Sequence, residues 1–251
     1  MYNTIKEKLA KGQAVIGGTI DTPDPEIYCA MASSGFDYLW IEMQHSTLTY
    51  QEVARMIWAG KDCPAVPFIR VPDATEGDIQ KAVDCGALGV VVPMVVDPEK
   101  ARNAVKFASY PPRGVRSLGG GQWIGLYGED YRRTANENIM VVAMIESPTG
   151  VENAEEIASI EGVDVVFTAA TDLYSFSGVG QGDPEYEALV DRVKSATLGA
   201  GRALGGPINW RDREGWNFFQ APQATALIGR GVRDLLKSTE ESVAPIEGTE
   251  R

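Results

Sequence analysis

Residues 38–56 read YLWIEMQHSTLTYQEVARM. An apolar run ends at Glu42, a short polar bend carries the only histidine of the chain, His45, and an amphipathic stretch then opens at a threonine. Strand, bend and helix follow one another within one segment, the unit from which parallel sheets are built. Working outward, the same alternation recurs. Short β-like apolar runs lie at 14–20, 36–42, 65–70, 87–93, 139–146, 163–169, 202–208 and 224–229. Between most of them stand helical stretches with start or stop signals: TPDPEIYCAMASSG ends in a C-cap glycine, and DPEKARNAVKFASY opens with Asp-Pro. Eight such units in 251 residues predict a single closed (β/α)8 TIM barrel filling residues 1–251.

Two segments break the rhythm. Residues 110–138 form a Gly- and aromatic-rich excursion after the fourth unit, and loops of that length in compact domains usually serve function. Within it, Trp123, Tyr127 and Tyr131 are expected to pack the excursion, and GGG at 119–121 lacks the strand, helix and lysine of a phosphate loop. The C-terminal KSTEESVAPIEGTER is polar.

Composition excludes several classes of function. Lys+Arg number 23 against 35 Asp+Glu, and a net charge of -12 repels phosphate backbones and anionic lipid, so neither nucleic acid nor membrane is an expected partner. No apolar run reaches the roughly 18 residues that span a bilayer, and the first residues resemble a short amphipathic helix without a signal-peptide core, which predicts a cytoplasmic protein. Cys29, Cys63 and Cys85 are far apart with no CxxC pair, and read as buried thiols.

In such barrels the chemistry sits where strands end and loops begin. The polar residues at those ends are Glu42 and His45 after the second strand, Arg70 closing the third, Glu146 closing the fifth, and Asp172 after the sixth. Two carboxylates without a Cys or His cluster suit Mg²⁺ or Mn²⁺ better than a structural zinc. An arginine in the same mouth can bind a carboxylate through two parallel hydrogen bonds. The residues alone leave structural readings open: Glu146 and Asp172 could be helix-start carboxylates, and Arg70 could pair with Glu42.

The runs IEMQHS, FIRVP, DCGALGVVVPMV, YPPRGVRS, MIESPTGVENAEEIASIEGVDVVF and ATDL follow one another in the order found in the HpcH/HpaI aldolases, which the chain resembles from about residue 14 to 230. The resemblance implies a class II pyruvate aldolase with a divalent ion (Mg²⁺, Mn²⁺ or Co²⁺) on Glu146 and Asp172. It also implies Arg70 as the group that binds the keto acid and stabilises the enolate, and His45 as a proton-transfer group in a dyad with Asp84. Glu42, Ala170 and Thr171 fall among the implied substrate contacts. A hexamer built as a trimer of dimers is implied as well, with C-terminal helices at about 211–237 exchanged between partners. Trp216, Phe218 and Phe219, short of local core, are compatible with that exchange.

The resemblance departs at three places. Family members commonly have Asp-Gly-Glu-His where this chain has Glu42, Met43, Gln44 and His45, and Gly-Pro-Ala-Asp-Leu where it has Ala169, Ala170, Thr171, Asp172 and Leu173. Met144 replaces a glutamine. The expected reaction is cleavage or formation of 4-hydroxy-2-oxo acids through a pyruvate-type enolate, with a keto acid and an aldehyde as small-molecule partners. Decarboxylation or hydration on the same scaffold, or keto-acid binding without turnover, are the alternatives.

Overall fold

The computed structural model describes residues 3–242, with side chains to residue 238. Eight strands form one closed parallel barrel in chain order: β1 Val15–Ile20, β2 Tyr38–Glu42, β3 Val66–Arg70, β4 Gly89–Val92, β5 Met140–Ile145, β6 Val165–Thr168, β7 Ala203–Pro207 and β8 Phe218–Gln223. Closure comes from β1 pairing with β8, Val15 beside Phe218 and Ile16 beside Phe219. The fold is therefore the (β/α)8 barrel that strict alternation of strand and helix predicts.

Seven strands fall where the apolar runs lie. The eighth does not: residues 224–229 open the helix Ala224–Ser242, and the strand is the preceding FFQAPQ. The segment about 211–237 is correspondingly not a set of helices; it contains a loop, β8 and the first part of that one helix. Trp216, Phe218 and Phe219 are buried within the barrel itself, so they supply no argument for a subunit contact.

Inside the barrel the two-residue period of each strand turns alternate side chains to the axis. Tyr38 stacks on Phe218 with ring centroids 4.6 Å apart and tilts against Phe68 at 4.9 Å, while Trp40 meets Phe167 at 5.1 Å. The Tyr38 hydroxyl donates to the Phe219 carbonyl at 2.7 Å, which satisfies the polar atom of that ring. Gly17 completes it, because a Cβ there would stand 2.1 Å from the Tyr38 ring. With that ring held between two phenylalanines, Gly17→Ala is expected to destabilise the protein by about 1–3 kcal/mol, the usual range for overpacking. Thermal unfolding checks this, and an unchanged melting temperature would show that the layer can yield.

Caps fix where each helix departs from its strand. Thr49 and Glu52 form a reciprocal capping box at the start of the helix Tyr50–Ala59, and Asp24, Thr75, Asp97 and Ser147 cap the helices Pro25–Ala32, Glu76–Asp84, Pro98–Ala108 and Pro148–Glu152. Each bend between a strand end and such a cap is thereby held short, which keeps the polar residues it carries at the barrel mouth.

The excursion at 110–138 contains the short helices Trp123–Tyr127 and Tyr131–Asn138. Trp123 stacks on Tyr131 at 4.7 Å, as packing of the excursion requires. Gln122 donates to the Ala54 carbonyl at 2.9 Å, and the Tyr127 hydroxyl to the Gly86 carbonyl at 2.6 Å. These bonds tie the excursion to the outer helical layer. No helix among the described residues is long and apolar enough to cross a membrane.

Candidate active site

Glu42 and Arg70 are paired neighbours in the β2–β3 register, at the carboxyl ends of their strands, and both are buried. Arg70 Nε lies 2.9 Å from Glu42 Oε2 and 3.1 Å from Oε1. Oε1 also accepts the backbone N–H groups of Gln44 at 2.8 Å and His45 at 2.9 Å, and Oε2 accepts Trp40 Nε1 at 3.3 Å. Both oxygens are thus engaged by the protein. Glu42, expected among the substrate contacts, forms a clamp: one carboxylate fixes the guanidinium and the bend that carries His45. The terminal nitrogens of Arg70 stay uncommitted, since Nη1 meets only the weak acceptor Met144 Sδ at 4.0 Å and Nη2 has no partner among the described residues.

Removing one partner of such a buried pair leaves the other charge uncompensated. Glu42→Gln is expected to cost about 3–5 kcal/mol of stability for that reason. Denaturant unfolding measures it, and a loss below 1 kcal/mol on the order of an exposed pair would mean that the clamp contributes little.

Glu146 follows β5 and is buried. Met94, the one non-glycine residue among those described with a positive φ, at 50°, aims its backbone N–H at Glu146 Oε1. A strained backbone of this kind concentrates at functional sites because the surroundings must hold it there. Burial pushes the Glu146 carboxyl up to about 7; the Met94 hydrogen bond opposes this, the adjacent Asp172 carboxylate adds to it, and Arg70 opposes it more weakly. Asp172, half-buried in the first turn of the helix Ala170–Ser177, therefore stands close enough for the two carboxylates to repel.

Two close carboxylates, one of them buried and hard to ionise, fit a divalent cation, which would neutralise both. Among the described residues no group of three or more His, Cys, Asp or Glu is assembled as a complete cage. Two protein carboxylates with the remaining positions left to water and substrate is the arrangement Mg²⁺ tolerates. Ala170 and Thr171 lie in the same turn; the Ala170 carbonyl is taken by Tyr186 Oη at 2.9 Å and Gln181 Nε2 at 3.3 Å, and Thr171 is exposed.

His45 is exposed, and its ring has no hydrogen-bond or ion-pair partner among the described residues. Asp84 is not joined to it. It ends the helix Glu76–Asp84, and its Oδ1 accepts Arg116 Nη2 at 2.8 Å, while Arg116 Nη1 bonds Tyr131 Oη at 2.9 Å and its guanidinium lies over the Tyr110 ring at 4.5 Å. Among the described residues no hydrogen bond or ion pair joins Asp84 to His45; the excursion holds Asp84 Oδ1 with a buried arginine.

The mouth also holds residues to which the sequence assigned no role. Asp21 Oδ1, Thr22 Oγ1 and Gln44 Oε1 are buried and without a hydrogen-bond partner among the described residues. Asp21 directly follows β1 and satisfies the same strand-end criterion that selected Glu42 and Glu146, but its Asp-Thr-Pro setting reads as a helix start.

Residues 21–209 match the family model described as HpcH/HpaI aldolase/citrate lyase. The chain belongs to this family. It is accordingly a carbon–carbon lyase of the aldolase kind. The chain is 35% identical to a hydroxypyruvate/pyruvate aldolase of Deinococcus radiodurans over 96% of its own length and 91% of the relative's. It is 30% identical to the 2-keto-3-deoxy-L-rhamnonate aldolase of Escherichia coli strain K12, over 82% and 79%. An HpcH/HpaI aldolase/citrate lyase family protein from Burkholderia cenocepacia J2315 superposes with a TM-score of 0.87 at 26% identity, covering 95% of this chain and 99% of that one.

Proposed function

We propose that this lyase cleaves and forms 4-hydroxy-2-oxo acids by way of a pyruvate-type enolate, with Mg²⁺, Mn²⁺ or Co²⁺ held by Glu146 and Asp172. The observation that carries this reading is the convergence of those two carboxylates with the free end of Arg70 at one barrel mouth. The relatives named hydroxypyruvate/pyruvate aldolase and 2-keto-3-deoxy-L-rhamnonate aldolase carry 2-keto acids in their names, which supports a keto-acid substrate here.

A bound divalent cation supplies Lewis-acid polarisation of the keto-acid oxygens. The chain's own residues do the rest. Arg70, oriented through Nε by Glu42, offers its terminal N–H groups to the substrate carboxylate or the developing enolate oxygen. Preorganisation matters here because the guanidinium cannot swing away without breaking a buried ion pair. His45, with its backbone pinned by Glu42 and its ring unencumbered, takes the proton of the 4-hydroxyl as the carbon–carbon bond breaks and returns one in the reverse direction.

Pyruvate release from a 4-hydroxy-2-oxo acid, assayed before and after EDTA treatment and on adding back Mg²⁺, Mn²⁺ or Co²⁺, tests the reading. Full activity in the chelated protein would refute the metal dependence, and no pyruvate under any condition would refute the aldolase assignment.

The same reading includes a cytoplasmic protein assembled as a hexamer, a trimer of dimers. Ile228, Val232, Leu235 and Leu236 give the helix Ala224–Ser242 an exposed apolar stripe at helical spacing, a surface that association would cover. Sedimentation showing a stable monomer at micromolar concentration would contradict the assembly.

A further inference from the structure

Three buried oxygens at the barrel mouth have no role in the chemistry described above. Ile20 pairs with Ile41 in the β1–β2 register, so Asp21 and Thr22 emerge beside Glu42 and Met43, just ahead of Gln44. The alternation of β1 assigns Asp21 a direction. A Cβ on Gly17 would strike the axial Tyr38 ring and Thr19 Oγ1 bonds the Ala221 carbonyl across to β8, so Asp21, next in the series, faces the mouth.

The neighbours leave these atoms unsatisfied. Glu42 is itself an acceptor with both oxygens engaged, and Gln220 Nε2 of β8 bonds Thr19 Oγ1 at 3.3 Å. Native proteins rarely leave buried polar atoms unpaired, and such atoms in a site are where a ligand's hydrogen bonds go.

Position then selects the part of the substrate concerned. Arg70, Glu146 and Asp172 stand at the ends of β3, β5 and β6, so a keto acid held by them covers that arc. The closed barrel leaves the arc β7–β8–β1–β2 to the other half of the substrate, with His45 after β2 at the junction.

Resting on the aldolase reading, we propose that Asp21, Thr22 and Gln44 form a hydroxyl-binding subsite that selects a neutral, hydroxylated aldehyde. Asp21 and Gln44 Oε1 only accept, and Thr22 can accept, so the complementary groups are donors. The Asp21 carboxylate at the same time disfavours an aldehyde that carries its own carboxylate.

The test is aldol addition of pyruvate to glyceraldehyde, to propanal and to succinic semialdehyde, using wild type, Asp21→Ala and Asp21→Asn. A site built to hydrogen-bond a hydroxyl discriminates strongly against an analogue lacking it. Wild type is expected to prefer glyceraldehyde over propanal by at least about tenfold in kcat/KM. Asp21→Ala should lose that preference through a raised KM, Asp21→Asn should keep part of it through its amide oxygen, and both should gain on succinic semialdehyde. Equal use of glyceraldehyde and propanal by wild type, or an unchanged preference in Asp21→Ala, overturns the subsite while leaving the aldolase reading intact. Absence of aldol product with every aldehyde overturns both. A purely structural Asp21 would lower all three activities together and leave their ratios unchanged, which also overturns the proposal.

Discussion

Glu146→Gln is expected to abolish measurable Mn²⁺ binding and to lower kcat/KM by about 10³ or more, equivalent to about 4 kcal/mol of transition-state stabilisation. The substitution is nearly isosteric, and the amide oxygen can still accept the Met94 N–H that the strained backbone presents. What disappears is the negative charge. In the metal-free protein that charge is unfavourable, because Glu146 is buried and faces Asp172, conditions that push its carboxyl up to about 7. The variant should therefore melt at a temperature equal to or above that of the metal-free wild type while being inactive. Stability and activity moving in opposite directions is the signature of a site whose strain serves chemistry. Calorimetric titration with Mn²⁺ and thermal unfolding in EDTA supply the two measurements. Wild-type metal affinity in the variant would remove Glu146 from the ligand set, and a large drop in metal-free stability would make it a structural residue.

Much of the barrel was legible because parallel strands buried on both faces leave continuous apolar runs, and seven of these stand out between helix caps. The eighth was not. Asn217 to Gln223, NFFQAPQ, interrupts its apolar character with two glutamines and a proline, while ATALIG beyond it has the composition of a strand. Only the longer period of Ile228, Val232, Leu235 and Leu236 marks that second run as the start of a helix. Proline is tolerated at 222 because it lies near the end of β8, past the Gln220 that pairs with Pro207 of β7.

The site shows the same division. Strand-end position identifies Glu42, Arg70 and Glu146 from sequence, and the possible Glu42–Arg70 pairing is among the readings the residues allow. Which oxygen faces which nitrogen is a matter of register: Glu42 sits opposite Arg70, and no one-dimensional pattern distinguishes a clamp from a substrate contact. The contact of Asp84 is hidden for a related reason. Its partner Arg116 lies 32 residues away in the excursion, in a segment whose path over the outer helices no periodicity encodes. The unpaired oxygens of Asp21, Thr22 and Gln44 are invisible until burial and hydrogen bonding are both known.

His45→Ala separates proton transfer from enolate stabilisation. Aldol cleavage requires a proton to leave the substrate hydroxyl, and one general base typically contributes about 10² to 10⁴ in rate, so the variant is expected to lose that much in kcat for a 4-hydroxy-2-oxo acid. Decarboxylation of oxaloacetate forms the same enolate by loss of CO₂ and needs no such deprotonation, so it should persist at a much larger fraction of the wild-type rate. The structure makes this a clean comparison. The His45 ring is exposed and has no hydrogen-bond or ion-pair partner among the described residues, and the bend is held through the His45 backbone N–H, which alanine keeps. Truncation should accordingly change stability by no more than about 0.5 kcal/mol, and the Glu42–Arg70 clamp should be undisturbed. The two rates are measured by coupled detection of pyruvate on one preparation, alongside its melting temperature. Equal loss of both reactions in a variant of wild-type stability would place His45 in metal-water or substrate binding, or in protonation of the enolate, because these are steps the two reactions share and deprotonation of the 4-hydroxyl is not.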